Sequence, residues 1–340
     1  DELPPVAMLD DPPELLASVV YADDGETELG RYWKINRTSV DYDHISSHLT
    51  DALIATEDER YYEHSGVDFR ALARAIANAG KAGGASTITQ QLAKQLFTLQ
   101  ARERSSEDKN DQVGKSSKLS RIYNRVDEKI RENIIAKRLE ERYTKEEIIT
   151  MYLNQFDFLY NAVGVENAAK VYYNKTPQDL SKVEAAMLIG MCKNPSLFNP
   201  HTFASRDYRQ WLAGRKKVDP NKITLAEMQA AKTADSSRAA GRRNQVLFQW
   251  LKNSEEDNKA LRQKITRAEY DSLKLVPIET DYQIVDHKRG MAPYFREELR
   301  KDVTKILAQK NADGSLKIKR KDGTSWNVYR DGLRIYTTIN

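Results

Sequence analysis

The sequence predicts a mainly α-helical protein with short β segments toward its two ends. Three observations carry this. Between about Ile45 and Gln249 apolar residues recur with the helical period, as in Leu49, Ala52 and Leu53 and again in Phe69, Leu72, Ala73, Ile76 and Ala77. Thr144…Glu147, Ser181…Glu184, Thr224…Glu227 and Thr266…Glu269 all have the spacing at which a hydroxyl and a carboxylate cap a helix start reciprocally. Outside that region, Asp-Gly pairs punctuate alternating segments, which is a hairpin signal.

Taken in order, residues 1–47 read as a lead-in that follows a membrane anchor outside this chain. Asp11-Pro12-Pro13 is its punctuation, and Val19-Val20-Tyr21 and Tyr32-Trp33-Lys34-Ile35 flank Asp23-Asp24-Gly25 as a short hairpin or two loose strands. Residues 48–275 form the helical domain. Its longest predicted helix runs from about Lys118 through Arg142, with Ile122, Val126, Ile130, Ile134 and Ile135 on one stripe, and the next starts at Thr144. Arg102 to Ser120 is polar, nearly free of apolar residues and expected to be mobile. Residues 276–340 begin a further unit: one helix at about Pro293 to Ala308, then a small β meander around Asp313-Gly314, Asp322-Gly323 and Asp331-Gly332. The chain stops within a strand pattern, so the natural protein is expected to continue.

Composition excludes several classes. The 54 basic and 50 acidic residues of this 340-residue chain leave a net charge of +4, so no strong overall field argues for nucleic acid. No apolar run approaches a spanning helix, and mean hydropathy is −0.70. Cys192 is the single cysteine, which excludes an intramolecular disulfide and a multi-cysteine zinc site; its apolar neighbours Met187 to Met191 mark it as a buried small hydrophobe.

Four clusters can carry chemistry. Glu57, Asp58 and Glu59 are consecutive acids near a predicted helix C-terminus, where the helix dipole disfavours them by a few tenths to about 1 kcal/mol each, so stability does not explain them. The bland alternative is a solvated acidic loop. Gly83 to Lys94 is a glycine-flexed loop entering a helix, and Ser86, Thr87, Thr89, Gln90 and Gln91 bring hydroxyls and amides suited to a sugar. An N-capped helix with a polar first turn is the alternative, and Lys94 and Arg102 extend its cationic edge. Lys129 and Glu132, three apart on one helix face, are by default a surface ion pair. Arg242-Arg243 opens a helical stretch that by default is a solvated face. The only Ser-x-x-Lys, Ser106 to Lys109, lies in the polar stretch and no Lys-Thr-Gly occurs, so a penicillin-reactive serine site is missing.

In chain order these clusters resemble a family. Glu57-Asp58…Tyr61…His64-Ser65-Gly66, Gly84-Ala85-Ser86-Thr87-Ile88-Thr89-Gln90-Gln91, Lys129…Glu132, Lys145…Ile148…Tyr152-Leu153-Asn154 and Arg242-Arg243…Val246-Leu247 look like the five ordered motifs of the peptidoglycan glycosyltransferase domain (glycosyltransferase family 51), the N-terminal half of class A penicillin-binding proteins. The resemblance covers about residues 15 to 250. Gly332 to Ile339 is similar to the linker that precedes the transpeptidase half, which is expected outside this chain. Three departures stand out: Tyr61 replaces the family's phenylalanine, Ala85 its second glycine, and Glu128 the arginine before Lys129. The stretches at about Ser105–Ser120 and His201–Ala240 are longer than usual.

The resemblance implies a lysozyme-like α fold that polymerises lipid II into β-1,4-linked glycan with inversion, releasing polyprenyl diphosphate. Glu57 is the expected base for the attacking sugar hydroxyl. Lys129, Arg242, Lys94 and Arg102 are the expected cations for the diphosphate. Glu132 is the second catalytic candidate, to orient Lys129, hold a divalent cation such as Mg or Mn, or position the acceptor. Asp58, Tyr61, His64, Gly84, Ser86, Thr87, Gln90, Gln91 and Asn154 are candidates for positioning and substrate contact. The chemistry itself requires no cofactor. Implied partners are lipid II, the growing glycan strand, the membrane surface, a moenomycin-type inhibitor and other cell-wall synthesis proteins, with no nucleic acid. The implied location is the periplasmic or extracellular face of a bacterial cytoplasmic membrane. A lysozyme-like glycan hydrolase and a non-catalytic cell-wall binding module are the alternatives.

Overall fold

The computed structural model describes residues 18–32, 38–77, 86–96, 118–205, 207–283, 293–312, 314–320, 324–328 and 331–338. The core is built on three helices, α1 (Ser47–Glu57), α6 (Lys182–Met191) and α8 (Leu225–Glu255), which pack against one another. Ser46 caps α1 through the His48 N–H at 3.2 Å, and Leu49 to Ala55 are all buried. Helix α6 is apolar on every side from Ala185 to Met191, as a helix surrounded by others must be. Its neighbour α8 contributes Ala239, Val246, Leu247, Trp250 and Leu251 from its second half. Complete capping boxes form at Thr144, Ser181 and Thr224, and at Thr266 the hydroxyl accepts from the Glu269 N–H.

Around this core lie α2 (Phe69–Ala77), the helical segment 88–96, α3 (Lys118–Glu140), α4 (Lys145–Gln155), α5 (Val165–Tyr173), α7 (Tyr208–Lys216), α9 (Arg267–Leu273) and α10 (Pro293–Leu307). The long stretch from His201 forms a satellite: α7 folds back on the first half of α8, burying Tyr208, Leu212, Ala213 and Ile223, while Asp235 receives the Tyr208 hydroxyl at 2.7 Å and Arg215 at 3.0 Å. The polar stretch from Arg102, up to residue 117, lies outside the described residues, as do Trp33, Lys34 and Ile35.

Two expectations are corrected. The predicted meander forms only in part: Lys310 and Leu316 bridge antiparallel across the first turn, but the last strand, β3 (Arg334–Tyr336), pairs in parallel with β1 (Ser18–Tyr21), which pairs antiparallel with β2 (Glu28–Tyr32). Strands over 300 residues apart thus share one sheet, because the Val20, Leu29 and Ile335 side chains find their apolar cover on Phe295, Leu299 and Val303 of α10. Helix α3 also departs from its expected packing: Ile135 is buried, but Ile130 and Ile134 are exposed, and so are Phe69 and Leu72 of α2. Among the described residues no helix is long and apolar enough to cross a membrane.

Asp51 in the middle of α1 is a buried acid whose two oxygens accept the Arg262 and Gln263 N–H groups at 2.9 and 2.8 Å. Burial pushes its carboxyl up to about 6, against an ordinary 3.8. It therefore binds its proton more tightly folded than unfolded, and the stability this contributes is full below pH 4 and lost as pH rises to 6. The difference is worth about 3 kcal/mol. Urea unfolding of the wild type and Asp51→Asn should diverge by roughly 2 kcal/mol between pH 4 and 6, with the wild type losing ground; parallel pH profiles would contradict it.

Candidate active site

Motif one begins where α1 ends. Asp58 occupies the C-cap of α1 and is buried; its carboxylate accepts the Ile88 N–H at 3.0 Å and His64 Nε2 at 3.0 Å. An acid that sits at the wrong pole of its own helix thus sits at the right pole of the next, segment 88–96. The loop that follows is held on all sides. Gly66 has φ +88°, and a Cβ there would lie 2.8 Å from the Ala136 backbone, so only glycine lets this loop approach α3 so closely. Its carbonyl accepts the Thr87 hydroxyl at 2.6 Å. Lys145 donates to the His64 carbonyl at 2.7 Å and to Glu140 at 2.8 Å, and Glu140 also receives the Thr89 hydroxyl at 2.6 Å. Tyr61 is fully buried, and the hydroxyl it adds to the family pattern donates to the Lys145 carbonyl at 2.8 Å.

This framework leaves Glu57 facing outward with its side chain 20% exposed. Both of its oxygens are engaged: Oε1 accepts Arg242 Nη2 at 3.3 Å and Oε2 accepts Gln91 Nε2 at 3.0 Å. The other end of the Gln91 amide receives the Tyr152 hydroxyl at 3.1 Å. Arg242 is itself 5% exposed and spans the α6–α8 contact, donating from Nε to the Gly190 carbonyl at 3.2 Å and from Nη1 to Gln245 at 3.0 Å.

The second set lies on α3 and the start of segment 88–96. Lys129 Nζ donates to Ser86 Oγ at 2.9 Å and to Glu132 Oε2 at 3.0 Å, and its side chain stays 44% exposed. One turn along, Asn133 accepts Gln90 Nε2 at 2.6 Å, which locks α3 to the second motif. The stretch 86–96 thus connects the carboxylate of Glu57, through Gln91 on its helix, to the exposed ammonium of Lys129, through Ser86 just before that helix.

Several sequence-stated contacts turn inward instead of toward a cleft. Asp58, Tyr61, Thr87, Gln90 and Asn154 are buried, and their polar atoms are spent on fixing loops; Asn154 brackets Val40, accepting its N–H at 3.2 Å and donating to its carbonyl at 2.9 Å. His64 is part of the same interior, through Asp58. Arg242 lies deeper than a solvated face would place it: it is buried and ion-paired with Glu57 at 3.3 Å, because Gly190 lets its aliphatic stem lie against α6. Lys94 is exposed, while Gly84, Ala85 and Arg102 lie outside the described residues. As for a divalent cation, Glu132 is committed to an ammonium, and among the described residues no three His, Cys, Asp or Glu side chains converge as ligands. The described residues thus present no cation site built from protein ligands alone. Sequence reasoning missed Tyr152, Asn133 and Gln245 as partners of site residues; Tyr152 had a signal in its place in the fourth motif, and Gln245 in its i, i+3 spacing from Arg242.

Comparison with known proteins agrees with this arrangement. The transglycosylase family pattern matches residues 25–219, which include the first four motifs. The chain is similar to penicillin-binding protein 1A of Escherichia coli (strain K12), at 31% identity over 99% of this chain and 31% of that protein. It is similar to penicillin-binding protein 1A of Vibrio cholerae at 29% identity over its whole length and 32% of the relative, and to penicillin-binding protein 2a of Streptococcus pneumoniae at 38% over 52% and 21%. The chain thus spans about a third of the length of the full-length relatives it matches. With the ordered motifs assembled on one helical frame and the pattern covering more than half of its residues, the chain belongs to the transglycosylase family.

Proposed function

We propose that this chain is a peptidoglycan glycosyltransferase that polymerises lipid II into β-1,4-linked glycan. The observation that carries the reading is Glu57, an outward-facing carboxylate that accepts two hydrogen bonds while an exposed ammonium, Lys129, is anchored to Ser86 at the entry of the segment that carries Gln91. In the reaction the 4-hydroxyl of the acceptor sugar attacks C1 of the α-linked donor. The new O4–C1 bond forms as the C1–oxygen bond to diphosphate breaks, with inversion to the β product. Glu57 receives the hydroxyl proton, and the charge that grows on the departing diphosphate is met by Lys129, which Glu132 and Ser86 hold in place. Lys94 and Arg102 are proposed as further cations. A hydrolase would use its carboxylic acid to donate a proton to the leaving sugar oxygen. Glu57 is set as an acceptor of hydrogen bonds on both oxygens, the arrangement of a base.

The substrate's lipid tail sets this site at a membrane surface, on the periplasmic or extracellular face of the bacterial cytoplasmic membrane. The exposed Phe69, Leu72, Ile130 and Ile134 support such a contact. A moenomycin-type phosphoglycolipid is proposed as an inhibitor on the same cations, and cell-wall synthesis proteins as partners.

Incubation with lipid II tests the reading: a glycan polymer supports it, shortened glycan supports the hydrolase, and no conversion leaves a binding module. Lys129→Ala should lower turnover by about 10²–10³-fold, as for loss of one donor to developing charge. Its unfolding free energy should stay within about 1 kcal/mol, because the lysine is 44% exposed. Unchanged polymerisation would remove Lys129 from the site.

A further inference from the structure

We infer that Tyr152 is a positioning residue for the reaction, acting on Glu57 through the Gln91 side-chain amide. The inference deepens the glycosyltransferase reading and rests on it. Tyr152 lies on α4, is fully buried, and donates its hydroxyl proton to Gln91 Oε1 at 3.1 Å. Gln91, on segment 88–96, passes its opposite end, Nε2, to Glu57 Oε2 at 3.0 Å. A side-chain amide has one accepting and one donating end, so each contact dictates the other. The phenol is dependable as a donor, since burial pushes its proton affinity well above the ordinary tyrosine range.

The chain of bonds has a chemical consequence. A base for a sugar hydroxyl must keep a fixed direction and remain ionised, and hydrogen bonds to the charged form of a carboxylate favour that form. Glu57 draws on two elements directly for this. Arg242 comes from α8 and Gln91 from segment 88–96, while Tyr152 on α4 and the thiol of Cys192 at the end of α6 complete the charged and titratable groups around it. Arg242 already holds one oxygen, so the Tyr152–Gln91 pair sets the rotation of the carboxylate about its own axis and hence which lone pair faces the acceptor. Without the phenol, Gln91 keeps its charge complementarity to Glu57 but loses the anchor that stops it from swinging away.

The test is a double-mutant cycle read on pH–rate profiles for lipid II polymerisation, using Tyr152→Phe, Gln91→Leu and the pair. Tyr152→Phe removes one oxygen and keeps the ring packing. It should lower kcat by about 5- to 50-fold with KM within about threefold, and move the acidic limb of kcat/KM upward by about half a pH unit or more. Gln91→Leu should move the limb at least as far, and the double variant should match Gln91→Leu alone, because both changes break the same path. The position of a limb does not depend on the fraction of folded enzyme, so a merely structural tyrosine would leave it in place. Gln91→Glu supplies an independent arm, since a second carboxylate beside Glu57 should push the limb further than leucine does. An unshifted limb in Tyr152→Phe, or losses that add in the double variant, would overturn the inference, as would Gln91→Glu with the wild-type limb. A wild-type chain that makes no polymer from lipid II would instead overturn the glycosyltransferase reading.

Discussion

Glu57→Gln should lose lipid II polymerisation by about 10²–10⁴-fold, or roughly 3 to 5.5 kcal/mol of barrier. The amide keeps the shape of the side chain but has no site to receive the sugar proton. The structure adds a stability effect that the sequence alone does not suggest. Glu57 accepts from Gln91 on one oxygen and from Arg242 on the other, and a glutamine can accept on only one side, so its NH₂ must face one of two donors. That mismatch should cost about 1–2 kcal/mol in urea unfolding, small enough for the variant to remain folded and bind substrate within a few-fold. Near wild-type polymerisation by the glutamine variant would sink the assignment of the base, as would Glu132→Gln proving much the more damaging.

The parts of the site readable from the sequence are those in which function and partner lie within one helical turn. Lys129 and Glu132 are neighbours at i, i+3, and the structure joins them at 3.0 Å. The capping boxes at Thr144, Ser181 and Thr224 are equally local. The contacts of Glu57 span the chain instead: it meets Gln91 across 34 residues and Arg242 across 185. No periodicity encodes such a meeting. The acid run of motif one illustrates the difference. Dipole physics marks Glu57 and Asp58 alike as misplaced on α1, yet only the fold separates their surroundings, turning Asp58 inward to the Ile88 N–H and leaving Glu57 outward. The α3 stripe is the converse case. Its period is helical and α3 is a helix, but period does not say what covers a face, and Ile130 and Ile134 are exposed while Ile135 is buried. The terminal sheet is a similar case: Asp-Gly turns suggest pairing with the next strand, as Lys310 and Leu316 do, but the last strand pairs with β1.

Arg242→Ala should then differ in kind from Lys129→Ala, although both remove a cation from a conserved-looking motif spacing. A solvated arginine face would tolerate alanine within about 0.5 kcal/mol. Arg242 is instead 5% exposed, its stem packs so closely on α6 that a Cβ at Gly190 would meet its Cγ at 3.2 Å, and its guanidinium serves Gly190, Gln245 and Glu57 at once. Truncation opens a void between α6 and α8, orphans the Gly190 carbonyl and leaves Glu57 without its ion partner. Removing one member of a buried pair costs up to 3–5 kcal/mol; Glu57 is partly solvated and can recover some of this, so about 2–4 kcal/mol is expected in urea unfolding. Polymerisation by the remaining folded enzyme should fall on the order of 10²-fold, because the carboxylate loses the contact that fixes Oε1. Arg242→Lys separates the two effects: one ammonium can face Glu57 but cannot bridge all three acceptors, so activity should recover further than stability. An Arg242→Ala variant with wild-type unfolding free energy would mean that the side chain is solvated after all, and would return it to the diphosphate side of the site.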